Sequence, residues 1–209
     1  MDLYERFRQP SPEFTAVPFW FWNGKMEPEE ITRQLELMHE QHIYQCVIHA
    51  RYGLVTPYFS EDWFACIAHA IREGKRLGYR IFCIYGAIGG RLDHTVANIQ
   101  LIAALAQEGK RGYLLGGGQA VTVLAESQLY FAPRGGGYFS AFAFGAAAAG
   151  VYEQGLKYTL SDARLEVSFP LGVSNEFCGQ EAHVSVREGK LLLIWDQDAL
   201  EFNPRGQLL

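Results

Sequence analysis

The sequence GAIGGRLDHTVANIQLI, residues 86–102, decides the fold because an apolar strand pattern at 81–85 runs through its glycines into a helical pattern. Gly86, Gly89 and Gly90 carry no Cβ, so the backbone can turn there with positive φ or approach a ligand closely. The chain before this stretch alternates between helix and strand patterns, whereas the chain after it shows mainly strand patterns. The glycines therefore mark the passage from an α/β front half to a β back half.

Three side chains that can bind ligands follow these glycines at the mouth of the predicted helix. Arg91 is a bidentate cation, Asp93 a carboxylate and His94 an imidazole. Free N–H groups and the helix dipole favour anions at such a place, so a phosphate site is one interpretation. The other is a tight strand-to-helix connection in which Asp93 is the N-cap and His94 a helix-start hydrogen-bonding residue. The spacing alone leaves both open.

Composition limits the class of protein. The chain has 209 residues, 49% of them hydrophobic and 20% charged, which is typical of a globular protein. Its net charge of -5 offers no basic surface for nucleic acid or anionic lipid, so any phosphate must be held locally. Neither a leader pattern nor a run of eighteen apolar residues is found, and we expect a cytoplasmic protein.

The front half reads as three strands joined by two helices. The strand patterns lie at 18–23, 45–49 and 81–85, and the first is a dense aromatic run that suits a buried strand. Pro28 in a first turn and Ser60 as an N-cap mark the two helix starts. Two right-handed crossovers then predict a three-stranded parallel sheet with ligand-binding groups at the strand ends.

The back half reads as a small antiparallel β-sandwich. Glu188 and Gly189 are typical of a hairpin turn. The predicted strands are 121–125, 138–144, 165–169, 183–187 and 191–195. These patterns place an α/β segment with the glycine turn and its helix at residues 1–112, and the sandwich at 113–209.

Four sequence motifs resemble those of the thiamine pyrophosphokinase family. They are GGRLDHTVANIQL at 89–101, GLKYTL at 155–160, PLGVSNEF at 170–177 and HVSVREGKLLLI at 183–194, and the resemblance covers about residues 66–197. It implies transfer of pyrophosphate from ATP to thiamine, with Mg2+, giving thiamine diphosphate and AMP. It also implies a homodimer and a thiamine-binding sandwich at the back of the chain.

The resemblance also assigns site residues. Gly89, Gly90, Arg91 and His94 would bind nucleotide, Arg91 and Asp93 would be catalytic, and Asp93, Tyr158, Ser174 and Asn175 would bind thiamine. The residues themselves allow plainer roles. Ser174 and Asn175 suit a turn that hydrogen-bonds its own backbone, and a lone tyrosine such as Tyr158 is often core.

Residues 1–85 resemble a different family, the opening of the barrel in rhamnosidase-like glycoside hydrolases. The resemblance rests on the motifs PFWFWNG, IHARYGL and PYFSEDWF. It implies that Asn23, His49 and Arg51 lie near a sugar. Three strands cannot close an eight-stranded barrel, so at most a sugar-binding fragment would remain.

The front half lacks the aspartate patterns, such as DxDS and KDxTD, that hold magnesium and triphosphate in thiamine pyrophosphokinases. Pyrophosphoryl transfer depends on such metal clamps, so we expect weak catalysis or none. A non-catalytic module that binds thiamine or a nucleotide is therefore the first alternative function.

Overall fold

The computed structural model describes Tyr4 and residues 16–58, 60–79 and 81–197. It is a mixed α/β structure, as the sequence predicts. In chain order the elements are β1 Phe19–Trp22, α1 Pro28–Glu40, β2 Val47–Ala50, α2 Glu61–Arg76, β3 Ile81–Tyr85, α3 Leu92–Gln107, β4 Arg111–Gly116, β5 Gln119–Ala125, β6 Gln128–Phe131, β7 Tyr138–Ala143, β8 Ala148–Gln154, β9 Leu160–Leu165, β10 Gly172–Glu176, β11 Ala182–Ser185 and β12 Lys190–Asp196. No helix in this described part of the chain is long and apolar enough to cross a bilayer.

The chain divides into two compact units, Met1–Arg80 and Ile81–Leu209. The predicted division lay later, between residues 112 and 113. The structure places β3 in the second unit because β3 pairs with β4, and α3 joins it there by packing on β4 and β5.

The first unit contains a parallel pair of strands, β1 and β2. Its aromatic strand alternates, because Trp20 and Trp22 are buried whereas Phe19 and Phe21 are exposed. The expectation of a fully buried strand is therefore wrong for one of its two faces. The predicted start of α2 is confirmed, since the Ser60 hydroxyl accepts a hydrogen bond from a backbone N–H in the first turn.

The predicted three-stranded parallel sheet is not formed. Strands β1 and β2 make a two-stranded sheet, and β3 runs parallel to β4 in a different sheet. The resemblance of residues 1–85 to the opening of a glycoside hydrolase barrel is not supported, because such a barrel needs β3 beside β2.

The second unit is a sandwich of two sheets around one core. The first sheet has six strands in the order β10-β7-β12-β5-β4-β3, and the second has four in the order β6-β11-β8-β9. Buried side chains of both sheets, including Phe131, Phe139, Val184 and Trp195, belong to the same cluster. The sandwich is larger than predicted, and its six-stranded sheet is mixed because β3 and β4 are parallel.

Two predicted features of the sandwich are wrong. Residues 165–169 are not a strand, because β9 ends at Leu165 and only an isolated bridge between Glu166 and Phe169 follows. The turn at Glu188 and Gly189 does not form a hairpin. Strand β11 pairs with β6 and β8, whereas β12 pairs with β5 and β7, so this turn carries the chain from one sheet to the other.

Candidate functional site

The glycine turn, residues 86–91, joins β3 to α3. Gly86, Gly89 and Gly90 have φ values of 72°, 108° and 62°, so the predicted positive φ is confirmed. The N–H groups of Gly86 and Ala87 both donate to the Leu115 carbonyl, at 2.8 and 3.3 Å, which ties the start of the turn to β4. The turn is thus fixed at one end by the neighbouring strand.

The middle of the turn packs closely on β4 and α3. The Asn98 side chain donates from Nδ2 to the Ala87 carbonyl at 3.0 Å. A Cβ added to Gly116 would lie 2.8 Å from the Ile88 carbonyl oxygen, so the strand must carry glycine there. By contrast, a Cβ on Gly89 or Gly90 would meet nothing within 4 Å, so the constraint at those two positions is φ and not space.

Arg91 and Asp93 bind each other at the start of α3. The Arg91 guanidinium donates from Nε to Asp93 Oδ1 at 3.1 Å and from Nη2 to Oδ2 at 2.5 Å. Their side chains are 69% and 62% exposed. The hydrogen bonds from Arg91 lower the pKa of Asp93 to about 2. The carboxylate therefore occupies the Nε–Nη2 edge of the guanidinium, and a phosphate can use that edge only after Asp93 releases it.

The proposed capping role of Asp93 is wrong. Arg91 is the N-cap residue of α3, no side chain caps the helix, and Asp93 lies in its first turn. The helix accordingly begins at Leu92, before the start that an N-cap at Asp93 would give. His94, in the same turn, is partly buried.

The second set of predicted residues forms a hydrogen-bonded group that we call the Asn175 cluster: Glu153, Tyr158, Asn175 and Glu176. Asn175 is only 4% exposed. Its Oδ1 accepts from the N–H groups of Tyr158 and Glu176, both at 2.9 Å. Its Nδ2 donates to Glu153 Oε2 at 2.8 Å and to the Tyr158 carbonyl at 2.7 Å. Both donor hydrogens and both acceptor positions of this amide are used inside the protein.

Glu153 is the buried acid of this cluster, with 1% of its surface exposed. One oxygen, Oε2, accepts from Asn175, and the other, Oε1, is buried and has no hydrogen-bond partner. Burial raises the pKa of this carboxyl to about 7, against the opposing effect of the Asn175 hydrogen bond. The sequence interpretation missed Glu153. Alternation along β8 could have found it, because Val151 and Glu153 share the inner face.

Ser174 lies beside this cluster on an edge strand and not in a turn between strands, as the sequence had indicated. It belongs to β10, where the register shifts between Gly172 and Asn175, and its φ is 62°. Its backbone N–H donates to the Ser140 hydroxyl on β7 at 3.1 Å. The irregular strand leaves Ser174 exposed while the next side chain is buried.

Tyr158 presents its ring to solvent, being 61% exposed, so it is not a core residue. Lys157 Nζ lies 5.7 Å from the centroid of that ring and 2.7 Å from Glu176 Oε1. The buried Asn175 amide thus has three exposed groups around it: the Tyr158 ring, the Ser174 hydroxyl and the Glu176 carboxylate. Such a set can stack on a flat ring and hydrogen-bond its polar edge.

The structure sorts the predicted site residues into two groups. Arg91 and Asp93 contact each other, and Tyr158 and Asn175 are linked directly, with Ser174 next in the chain. Among the described residues, no group of three or more His, Cys, Asp and Glu side chains is placed to hold a metal ion.

One segment of the sandwich is similar to a known family. Residues 126–191 match the family described as thiamin pyrophosphokinase, vitamin B1 binding domain. The resemblance to thiamine pyrophosphokinases is confirmed. The matched segment contains the whole Asn175 cluster, as well as Ser174. No curated protein matches the sequence of the chain.

Solved structures of thiamine pyrophosphokinases have a similar fold. The enzyme from Bacillus subtilis superposes with a TM-score of 0.60 at 19% identity, over 85% of this chain and 79% of that one. The enzyme from Geobacillus thermodenitrificans gives 0.58 at 19%, over 85% and 78%. The enzyme from Candida albicans gives 0.53 at 13%, over 93% and 77%. At these identities the likeness establishes a thiamine pyrophosphokinase-like fold.

Proposed function

We propose that the chain is a thiamine pyrophosphokinase-like protein that binds thiamine on its β-sandwich. The observation that carries the proposal is that the segment matching a vitamin B1 binding domain also contains the ordered Asn175 cluster. A buried, fully hydrogen-bonded amide beneath an exposed tyrosine is a rigid support, which a binding site needs.

The exposed groups around this cluster suit a cationic, flat ligand such as thiamine. The Tyr158 ring offers an aromatic face that can stack on one of the two rings or attract the thiazolium charge. Ser174 offers a hydroxyl, and Glu176 a partly exposed carboxylate. Asn175 has a different role from the one the resemblance implied. Its amide holds the backbone of Tyr158 and Glu176 and has no hydrogen-bonding position left for the ligand.

The proposal includes ATP as pyrophosphate donor, with Arg91 contacting phosphate and Asp93 orienting thiamine or a metal-bound group. Gly89, Gly90 and His94 would line the nucleotide. In the thiamine pyrophosphokinase reaction, Mg2+ would neutralise charge on the moving group. Because Arg91 and Asp93 bind each other, we derive no step through this ion. We propose that turnover is low.

Isothermal titration of purified protein with thiamine tests the binding proposal. We expect saturable 1:1 binding, and a loss of about fivefold in affinity for Tyr158→Leu, since stacking contributes about 1 kcal/mol. Tyr130→Leu is the matched control, because Tyr130 is a partly exposed tyrosine on β6 that stacks on His183 and lies outside the Asn175 cluster. Absence of thiamine binding in the wild type would overturn the proposal.

An assay of AMP release with thiamine, ATP and magnesium separates the enzyme from a non-catalytic module. We expect product formation about a thousandfold or more below that of a typical kinase, whose kcat is roughly 1–100 per second, because metal clamping is worth several kcal/mol. Ordinary turnover would show that other acids supply the metal site. Complete absence of AMP with intact thiamine binding would favour the binding module.

The proposal also includes a homodimer. Strand β10 is an outer strand of the six-stranded sheet, and the exposed apolar residues near it are Tyr138, Phe169, Leu171 and Val173. Unpaired strand edges and apolar patches are common at subunit interfaces. Light scattering should give twice the chain mass, and a monomer at micromolar concentration would contradict this part.

A further inference from the structure

The Glu153 carboxyl contributes a contact that the thiamine pyrophosphokinase resemblance did not assign. Glu153 lies on β8 of the four-stranded sheet, and Asn175 lies on β10 of the six-stranded sheet. Their 2.8 Å hydrogen bond therefore links the two sheets of the sandwich. Both side chains are buried, so water cannot readily replace either partner.

The orientation of the Asn175 amide depends on what surrounds it. A side-chain amide can be turned by 180°, which exchanges its oxygen and its nitrogen. In the observed orientation Nδ2 faces two acceptors, Glu153 Oε2 and the Tyr158 carbonyl, and Oδ1 faces two N–H donors. The reverse orientation would set donors against donors and acceptors against acceptors. Of these four partners only Glu153 is a side chain, so it is the one whose contribution a substitution can remove.

We propose that Glu153 is a positioning residue, whose buried carboxyl fixes the Asn175 amide and thereby holds the backbone of Tyr158 and Glu176. Glu153 has no route to the ligand of its own, because it is buried and acts through Asn175. The inference extends the proposed thiamine site, on which its functional consequence rests. Its structural content can be tested without any ligand.

The neighbouring backbone provides an internal control. Lys157 donates its N–H to the Glu176 carbonyl at 3.0 Å, and this bond does not involve the Asn175 amide. By contrast, the N–H groups of Tyr158 and Glu176 both end on Asn175 Oδ1. If Asn175 is no longer positioned, the Tyr158 and Glu176 amides should therefore exchange faster with solvent, and the Lys157 amide should keep its rate.

The experiment is amide hydrogen exchange, followed by NMR, on the ligand-free full chain. Glu153→Met keeps the side-chain length and removes the acceptor, and Glu153→Gln restores an acceptor oxygen. We expect Tyr158 and Glu176 amides to exchange about tenfold faster in E153M, the effect of losing about one hydrogen bond, and to return near the wild-type rate in E153Q. Gln154→Leu, an exposed change on the same strand, should leave all three rates unchanged.

Two results would overturn the inference: unchanged Tyr158 and Glu176 rates in E153M, or equal acceleration of Lys157, which would indicate general loosening. If E153M does not fold, the side-chain amide protons of Asn175 decide instead. They should exchange slowly in both wild type and E153Q, and fast exchange in the wild type would refute a fixed amide.

A thiamine titration of the same variants then joins the inference to the proposed function. We expect about tenfold weaker binding for E153M and recovery in E153Q. If the wild type binds no thiamine, the proposed function fails, while the exchange data still decide whether Glu153 positions Asn175. If binding is present and equal in all variants, the positioning role has no bearing on the ligand and this part is wrong.

Discussion

The glycine turn and the Asn175 cluster carry the two sets of residues that the sequence marks as functional, and they are built differently. In the turn, Arg91 and Asp93 are exposed and satisfy each other. In the cluster, a buried amide is bonded on every side and supports exposed groups. A preorganised site needs side chains that are locked by a supporting layer. The cluster has such a layer, whereas the charged pair at the turn has none in the described structure.

Among the substitutions that test this difference, replacement of Asn175 should have the largest effect on the free energy of unfolding. Asn175→Ala removes four hydrogen bonds, one to the buried Glu153 carboxyl and three to partly buried backbone groups of Tyr158 and Glu176. We expect a loss of about 3–5 kcal/mol in the free energy of unfolding, measured by urea denaturation. A loss below about 1 kcal/mol would mean that water enters the cluster freely, and the contrast with the turn would disappear.

The pH dependence of stability gives the next largest effect. Burial raises the pKa of Glu153 from 4.5 to about 7 in the folded protein, so this group contributes stability below pH 4.5 that is lost progressively up to about pH 7. The total loss is on the order of 3 kcal/mol, since each pH unit corresponds to about 1.4 kcal/mol. The difference between wild type and Glu153→Gln, followed by denaturation from pH 4 to 8, isolates this group. Parallel curves would show that the carboxyl is hydrated.

A smaller effect should come from the strained backbone of Ser174. Its φ of 62° is unfavourable for a residue with a Cβ, so Ser174→Gly relieves strain while it adds freedom to the unfolded chain. We expect a net gain of about 0.5 kcal/mol in the free energy of unfolding. Val173→Gly, at a neighbouring position without positive φ, should instead lose about 1 kcal/mol. Equal losses in both variants would argue against strain at Ser174.

The smallest effect should follow a change in the charged pair of the turn. Asp93→Asn weakens the bonds from Arg91, but both side chains are exposed and solvent replaces the contact. We expect no measurable shift of the denaturation midpoint, and a freer Arg91 that binds ATP or pyrophosphate more tightly in a titration. A clear drop in the midpoint would show that the pair supports the turn after all.

Local features of the fold could be predicted from the sequence, whereas the pairing of strands within the sheets could not. The bounds of β3, the cap at Ser60 and the positive φ values of the glycine turn follow from side-chain chemistry that acts over a few residues. The strand that pairs with β3 could not be predicted in this way. That strand, β4, is the short segment RGYLLG, which glycines flank and interrupt, so its strand pattern is weak. The turn at Glu188 and Gly189 has hairpin chemistry, yet the strands on either side belong to different sheets.

The candidate site was predictable to a similar extent. The motifs that resemble the thiamine pyrophosphokinase family indicated Tyr158, Ser174 and Asn175 as site residues. The structure shows that Tyr158 and Asn175 are joined by hydrogen bonds. The motifs could not show that the Asn175 amide faces inward, because its direction depends on the register shift in β10. Glu153 was missed because a single acid in a short strand resembles a solvated residue until its partner on the other sheet is known.

The place of β12 has a consequence for synthesis of the chain on the ribosome. Strand β12 follows every other described strand in sequence, yet it lies between β5 and β7. Until it emerges, those two strands each have an open, hydrogen-bonding edge, and half-made sheets with such edges attract other chains. The nascent protein therefore needs protection for the whole time between translation of β7 and translation of Asp196. Messages that stop before that codon should give aggregates and not a shorter folded protein.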